Sequence, residues 1–142
     1  MGKAHRSVVL YSLFPAFLFA GVFAAQAQTA GSVKPTNWSS PATWPNKKVP
    51  AGDKVEIPNG KAVILDVSPP ALAGVTINGK LSFADKSDLT LTTEWIMLHG
   101  ELAIGSEATP YKHRATITLT DNVKGEDVMG GMGDRGIMLS GG

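Results

Sequence analysis

Tyr111-Lys112-His113-Arg114 places an aromatic ring, two full positive charges and an imidazole in succession. Lysine and arginine pair with carboxylates and a tyrosine ring stacks on sugar faces, so the chemistry indicated is contact with an anionic polysaccharide. A solvated loop accounts for the same four residues without any ligand. Trp38 and Trp44 stand among Pro35, Pro41, Pro45 and Pro50. Exposed, these rings would stack on the apolar side of a pyranose; folded against neighbouring strands, they would close a core, which is the simpler role. These six residues are the candidate ligand-binding set. Trp95 reads as a packing residue.

The acidic residues offer less. Asp66 and Asp85 close successive units of a repeat, and carboxylates stacked about 4.8 Å apart would share a cation or act as an acid–base pair. Ser106 takes the next position, so the column is not sustained. His99 holds a bend position equivalent to Asn59 and Asn78, which makes it a turn residue first. The stretch from Thr120 to Arg135 carries Gly125, Gly130, Gly131 and Gly133 with Asp121, Glu126, Asp127 and Asp134. Long glycine-rich insertions on regular scaffolds are where function concentrates, yet this one matches neither a phosphate loop nor a calcium loop. Asn37-Trp38-Ser39 fits the N-glycosylation pattern.

Several classes drop out. The sequence has no cysteine, which removes disulfides, thiolate metal centres and cysteine nucleophiles. A formal net charge of +1 over 142 residues is too small for a nucleic-acid binder. Three histidines leave little for a metal site, and neither a metal, a cofactor nor a catalytic residue is assigned.

What must position the candidates is a repeat of about twenty residues. Residues 1–27 have a basic start, an apolar run from Val8 to Ala25 and an Ala25-Gln26-Ala27 ending, the layout of a cleaved signal peptide. The mature chain is therefore expected outside the cytoplasm, secreted or periplasmic, with no membrane segment after cleavage. Residues 28–36 read as a linker and 37–142 as one domain. From Lys54 onward, apolar pairs alternate with polar residues: Val55/Ile57, Val75/Ile77, Ile96/Leu98, Ile117/Leu119 and Ile137/Leu139, spaced 20, 21, 21 and 20. Three pairs run into a glycine bend (Gly60, Gly79, Gly100) and a second strand, closed by Asp66, Asp85 and Ser106. A fixed period of this size means stacked units, whereas a Greek-key sandwich would show shorter intervals and no long-range register. The expected fold is all-β: a right-handed parallel β-helix (β-solenoid) of about five coils, capped at its N-terminal end by the irregular Trp/Pro-rich segment. Alternation places Leu81, Phe83, Leu102 and Ile104 in the core. Asn-Gly at the bends suits a positive φ. The sequence reaches Gly142 just where a further second strand is due, which suggests a fragment whose solenoid continues.

Thr43-Trp44-Pro45, Val49-Pro50, Ile77-Asn78-Gly79-Lys80-Leu81 and Gly105-Ser106-Glu107 with Pro110 carry a family signature. Over residues 37–142 the chain resembles the eight-glycine ("G-eight") domain family of the fibrocystin and cell-surface hyaluronidase group. The resemblance implies an extracellular all-β module, non-catalytic by itself, that supports binding of polysaccharide or matrix glycan, with the downstream β-helix of a longer chain as its neighbour. The alternative it leaves open is the N-terminal fragment of a glycan-degrading β-helix enzyme whose catalytic part lies beyond Gly142.

Overall fold

The computed structural model describes residues 33–122, 125, 127, 131 and 133–140, all within the compact unit that begins at Gly31. The expected signal peptide lies outside the described residues, as do residues 28–32 of the linker and Glu126 and Gly130 of the glycine-rich insertion.

Among the described residues, ten short strands form in chain order: β1 (Thr36–Asn37), β2 (Lys54–Ile57), β3 (Ala62–Leu65), β4 (Gly74–Ile77), β5 (Lys80–Phe83), β6 (Leu89–Thr93), β7 (Trp95–Leu98), β8 (Glu101–Ala103), β9 (Ala115–Leu119) and β10 (Gly136–Leu139). Strands of two to five residues cannot bury an apolar face alone, so each needs the equivalent strand of a neighbouring repeat. They assemble into three sheets in the orders β2-β4-β7-β10, β1-β3-β5-β8 and β6-β9, and every pairing is parallel. The described residues form an all-β domain.

The first sheet carries the repeat. Val55 pairs with Val75, Val75 with Ile96 and Ile96 with Ile137; Ile57, Ile77, Leu98 and Leu139 form the parallel column. Alternation along each strand turns Val55 and Ile57 inward and leaves Lys54 and Glu56 exposed. Ile57, Ile77, Ile96, Val63, Leu81 and Leu91 are fully buried, and each contributes about 1.5–3 kcal/mol through burial.

The register departs from expectation at one pair. Ile117 and Leu119 leave this column and pair with Leu91 and Thr93 in the third sheet. The column therefore has four rungs where the spacing suggested five. The last circuit, from β7 to β10, is about twice the usual length because it holds two excursions, residues 104–114 and 120–135. A strand inside that circuit fell by coincidence 21 residues after Ile96. The end of the stack also corrects a core assignment. Leu102 is partly buried but Ile104 is exposed, because β8 is the last strand of its sheet and nothing lies beyond it among the described residues.

Glycine serves two different purposes at the bends. Gly60 adopts φ +75° with open space around it. Gly79 and Gly100 do not need a positive φ; they are glycines because backbone crowds them. A Cβ at Gly79 would lie 2.3 Å from the Lys61 carbonyl oxygen, and one at Gly100 2.0 Å from that of Gly79. The first bend is also two residues longer than the next, so Ala62, not Lys61, pairs with Lys80.

The N-terminal segment closes one end of the second sheet. β1 pairs with β3, the Trp38 N–H donates to the Ile64 carbonyl at 2.7 Å, and a 3-10 turn spans Pro41–Thr43. Thr43 Oγ1 donates to the Asn37 carbonyl at 2.6 Å. β2, the first strand of the other sheet, stays at the edge.

Candidate functional site

The basic–aromatic tetrapeptide is fastened to the circuit before it. The turn after β5, residues 84–88, lies one rung from the end of the 104–114 excursion. Tyr111 donates its hydroxyl to the Ala84 carbonyl at 3.0 Å. The main-chain N–H groups of Lys112 and His113 donate to Asp85 Oδ1 at 3.0 and 3.2 Å, and the Arg114 N–H donates to Asp88 Oδ1 at 2.9 Å. The Leu89 N–H returns a bond to the Arg114 carbonyl at 2.9 Å. His113 Nδ1 stands 2.7 Å from the same Asp85 oxygen. Asp85 and Asp88 thus satisfy three consecutive backbone donors, which an irregular loop would otherwise leave to water. Lys112, His113 and Arg114 are exposed, as is Lys86 at the crown of the turn.

This lacing sets the electrostatics. The hydrogen bond from His113 holds the Asp85 carboxyl below its ordinary range, opposed by slight desolvation and reinforced by the two N–H donors. Tyr111 moves the other way: desolvation raises its phenol, with the charges of Asp85 and Asp88 adding to the effect.

The other candidates resolve differently. Trp38 is fully buried and Trp44 is 6% exposed, so they close the core and offer almost no ring face to a sugar. Their centroids lie 4.8 Å apart at an interplanar angle of 70°, and Trp44 Nε1 donates to the Trp38 carbonyl at 2.9 Å. Lys61 sets its ammonium over the Trp44 ring and donates to the Thr43 carbonyl. Trp95 covers Gly74 of the neighbouring rung, where a Cβ would lie 2.3 Å from the indole. His99 is a bend residue tied to the next rung, with Nδ1 2.6 Å from Ser140 Oγ.

Asp66 and Asp85 do not form a carboxylate pair. The β3–β5 register, Leu65 opposite Phe83, sets Asp66 beside Ala84, and the two carboxylates turn to opposite neighbours. Asp66 accepts from the Ser39 N–H at 2.9 Å and its hydroxyl at 2.6 Å. Partial burial pushes Asp66 up, but the two Ser39 bonds and the charge of Lys86 outweigh it and hold the carboxyl below its usual range.

Three participants were not read from sequence. Asp88 and Lys86 belong to the corner; only the repeat, placing 84–88 beside the next excursion, could have suggested them. Glu94 is 3% exposed and accepts from Thr120 Oγ1 at 2.8 Å and from the Asn122 N–H at 3.0 Å, so it anchors the start of the glycine-rich excursion. A lone carboxylate within the β-rich run LTTEWIML was the available signal.

The G8 domain model matches residues 43–142. The chain belongs to the G8 domain family. This G8 chain is 33% identical to human fibrocystin-L over 111 residues, 76% of its length and 3% of the relative's. It is 36% identical to mouse fibrocystin over 90 residues, 61% and 2% of the respective chains. The Dictyostelium discoideum protein DDB_G0287365 is 33% identical over 87 residues, 58% and 8% of the respective chains. The G8 chain thus spans a small fraction of these relatives. No solved structure matches it.

Proposed function

We propose that this G8 chain is a secreted, non-catalytic module that binds acidic polysaccharide at the corner formed by residues 84–88 and 111–114. It is built as a right-handed parallel β-helix. The observation that carries the binding reading is the lacing of Tyr111–Arg114 onto Asp85, Asp88 and Ala84. A loop held at this many points presents Lys112 and Arg114 with little ordering left to lose on binding. Both carboxylates are engaged by backbone amides, while the cationic groups remain exposed beside a tyrosine.

Titration of the isotopically labelled chain with hyaluronan hexasaccharide, followed by amide chemical shifts, tests this. Shifts are expected at residues 84–88 and 111–114, weakening as salt screens the exposed charges. Lys112→Ala and Arg114→Ala should each weaken binding about threefold to tenfold. Shifts absent from 111–114 would overturn the reading.

One observation favours a neighbour for the module. Ile104, Leu119, Ile137 and Leu139 are exposed, and each lies on or just after the last strand of one of the three sheets. A further coil of a longer chain would cover them. The genomic sequence beyond Gly142 tests that: more twenty-residue repeats are expected, and a stop codon there would refute it.

A further inference from the structure

At the capped end of the stack, the segment after Trp44 and the free edge of β2 bound an open groove of about 450 Å³, within the range of small-ligand sites. Its lining combines two kinds of surface. Pro45, Val49 and Pro50 supply apolar contact, and behind them lies the nearly buried Trp44 indole, fixed by its bond to the Trp38 carbonyl. Asn46, Asp53 and Glu56 supply an amide and two carboxylates, and Lys48 and Lys54 two ammonium groups.

The main chain adds to this set. The Asp53 carbonyl accepts from the Ala73 N–H at 3.3 Å, and the Ile57 carbonyl from those of Asn78 and Gly79 at 2.9 and 3.0 Å. Odd-numbered residues of this strand therefore turn their polar groups toward β4. Alternation sends the N–H and carbonyl of Glu56 to the opposite edge, where β2 has no neighbouring strand among the described residues. The Glu56 carboxylate is oriented by the Asn78 side-chain amide at 2.9 Å.

We infer that this groove is a binding site for a neutral oligosaccharide segment, separate from the acidic-glycan corner. The inference shares with the proposed function only the reading of the chain as a glycan binder. Two carboxylates against two ammonium groups leave the lining neutral, so it has no electrostatic preference for a polyanion, and Asp53 and Glu56 would repel uronate or sulfate. Sugar hydroxyls both donate and accept, which matches carboxylates, an amide, ammonium groups and a main-chain pair. The proline and valine surface fits the C–H face of a pyranose, where a buried ring edge alone would not. Lys54 also faces the Trp95 ring, 5.8 Å from its centroid, so it is held in place rather than recruited by the ligand.

The test uses the full labelled chain and three neutral probes, cellohexaose, mannohexaose and chitohexaose, with hyaluronan hexasaccharide alongside. At about 10 mM probe, weak sugar binding is detectable by amide shifts. At least one neutral probe is expected to perturb residues 46–56 and the Trp44 indole N–H. Asp53→Ala and Asn46→Ala, which remove exposed side chains, should weaken it about fivefold or more. Arg114→Ala should leave it unchanged. Neutral probes that leave 46–56 silent, or binding indifferent to Asp53→Ala, would overturn the inference. Hyaluronan shifts confined to 111–114 together with silent neutral probes would refute this site and keep the proposed function. Neutral binding in the groove with no hyaluronan response would do the reverse.

Discussion

Replacing Gly79 by alanine should be far more damaging than the same change at Gly60, although both follow asparagine at a bend. At Gly60 the only cost is a Cβ in the left-handed region, about 1–2 kcal/mol. Part of that is offset by lower unfolded-chain entropy, about 0.4–1 kcal/mol, leaving about 1 kcal/mol. At Gly79 the added carbon would sit 2.3 and 2.4 Å from the carbonyl oxygens of Lys61 and Pro58. Those atoms belong to backbone and cannot swing aside, so the rungs must separate. Overpacking of this kind costs about 1–3 kcal/mol. Separation also strains the bonds from Lys80 N–H to Lys61 carbonyl at 2.9 Å and from Glu101 N–H to Gly79 carbonyl at 2.8 Å, each worth about 1 kcal/mol. The sum, about 3–5 kcal/mol, is a large share of a domain's typical 5–15 kcal/mol. Urea unfolding of the full chain reads both variants through the fluorescence of the buried tryptophans. A Gly79→Ala cost within about 0.5 kcal/mol of Gly60→Ala would refute the close-approach account of these bends.

Asp85→Ala should release the 111–114 segment without melting the strands: hydrogen exchange at Lys112 and His113 is expected to accelerate, while Val75 and Ile96 stay protected. Asp66 and Asp85 are both held below their ordinary value of 3.8. The stability they contribute is complete above that unfolded value and lost as pH falls through the lower folded values, so urea midpoints should be level near about pH 5 and drop below about pH 3.5. Trp44→Phe removes the donor to the Trp38 carbonyl and should cost about 1–3 kcal/mol by calorimetry or urea melt. Leu139 is 77% exposed; Leu139→Lys is expected to alter stability by no more than about 0.5 kcal/mol and to raise solubility, and a loss above about 2 kcal/mol would mean the side chain is covered.

Much of the scaffold could be read from residues alone. Val55, Val75 and Ile96 announce their column because one inward position per repeat must be apolar and the spacing between them stays at 20 and 21 residues; Ile137 joins it only after a stretch about twice as long. Ile117 misled for the same reason: period is a proxy for register only while loop lengths hold, and the last circuit breaks that condition. The bend glycines were legible as glycines but not by cause, since positive φ and close backbone approach leave the same letter. Trp38 and Trp44 read two ways in sequence because aromatic residues among prolines fit a cap and a binding platform equally; only burial separates the two. The corner was half visible. Tyr111–Arg114 stood out through charge, but the partners that hold it, Asp85 and Asp88, sit more than twenty residues earlier and become neighbours only through the parallel pairing of β6 with β9.

Rungs that are joined side by side, each by a handful of bonds across the stack, resist load poorly along the direction in which they are piled. Tension applied between β1 and β10 would peel one layer at a time, as a zip opens, instead of shearing every ladder together. Freeing β2 from β4, or β4 from β7, would lengthen the tether by about 20 residues, roughly 70 Å of extended chain, and freeing β10 from β7 by about twice that. Where such a module links larger bodies, it would act as a yielding element that lengthens in steps under tension.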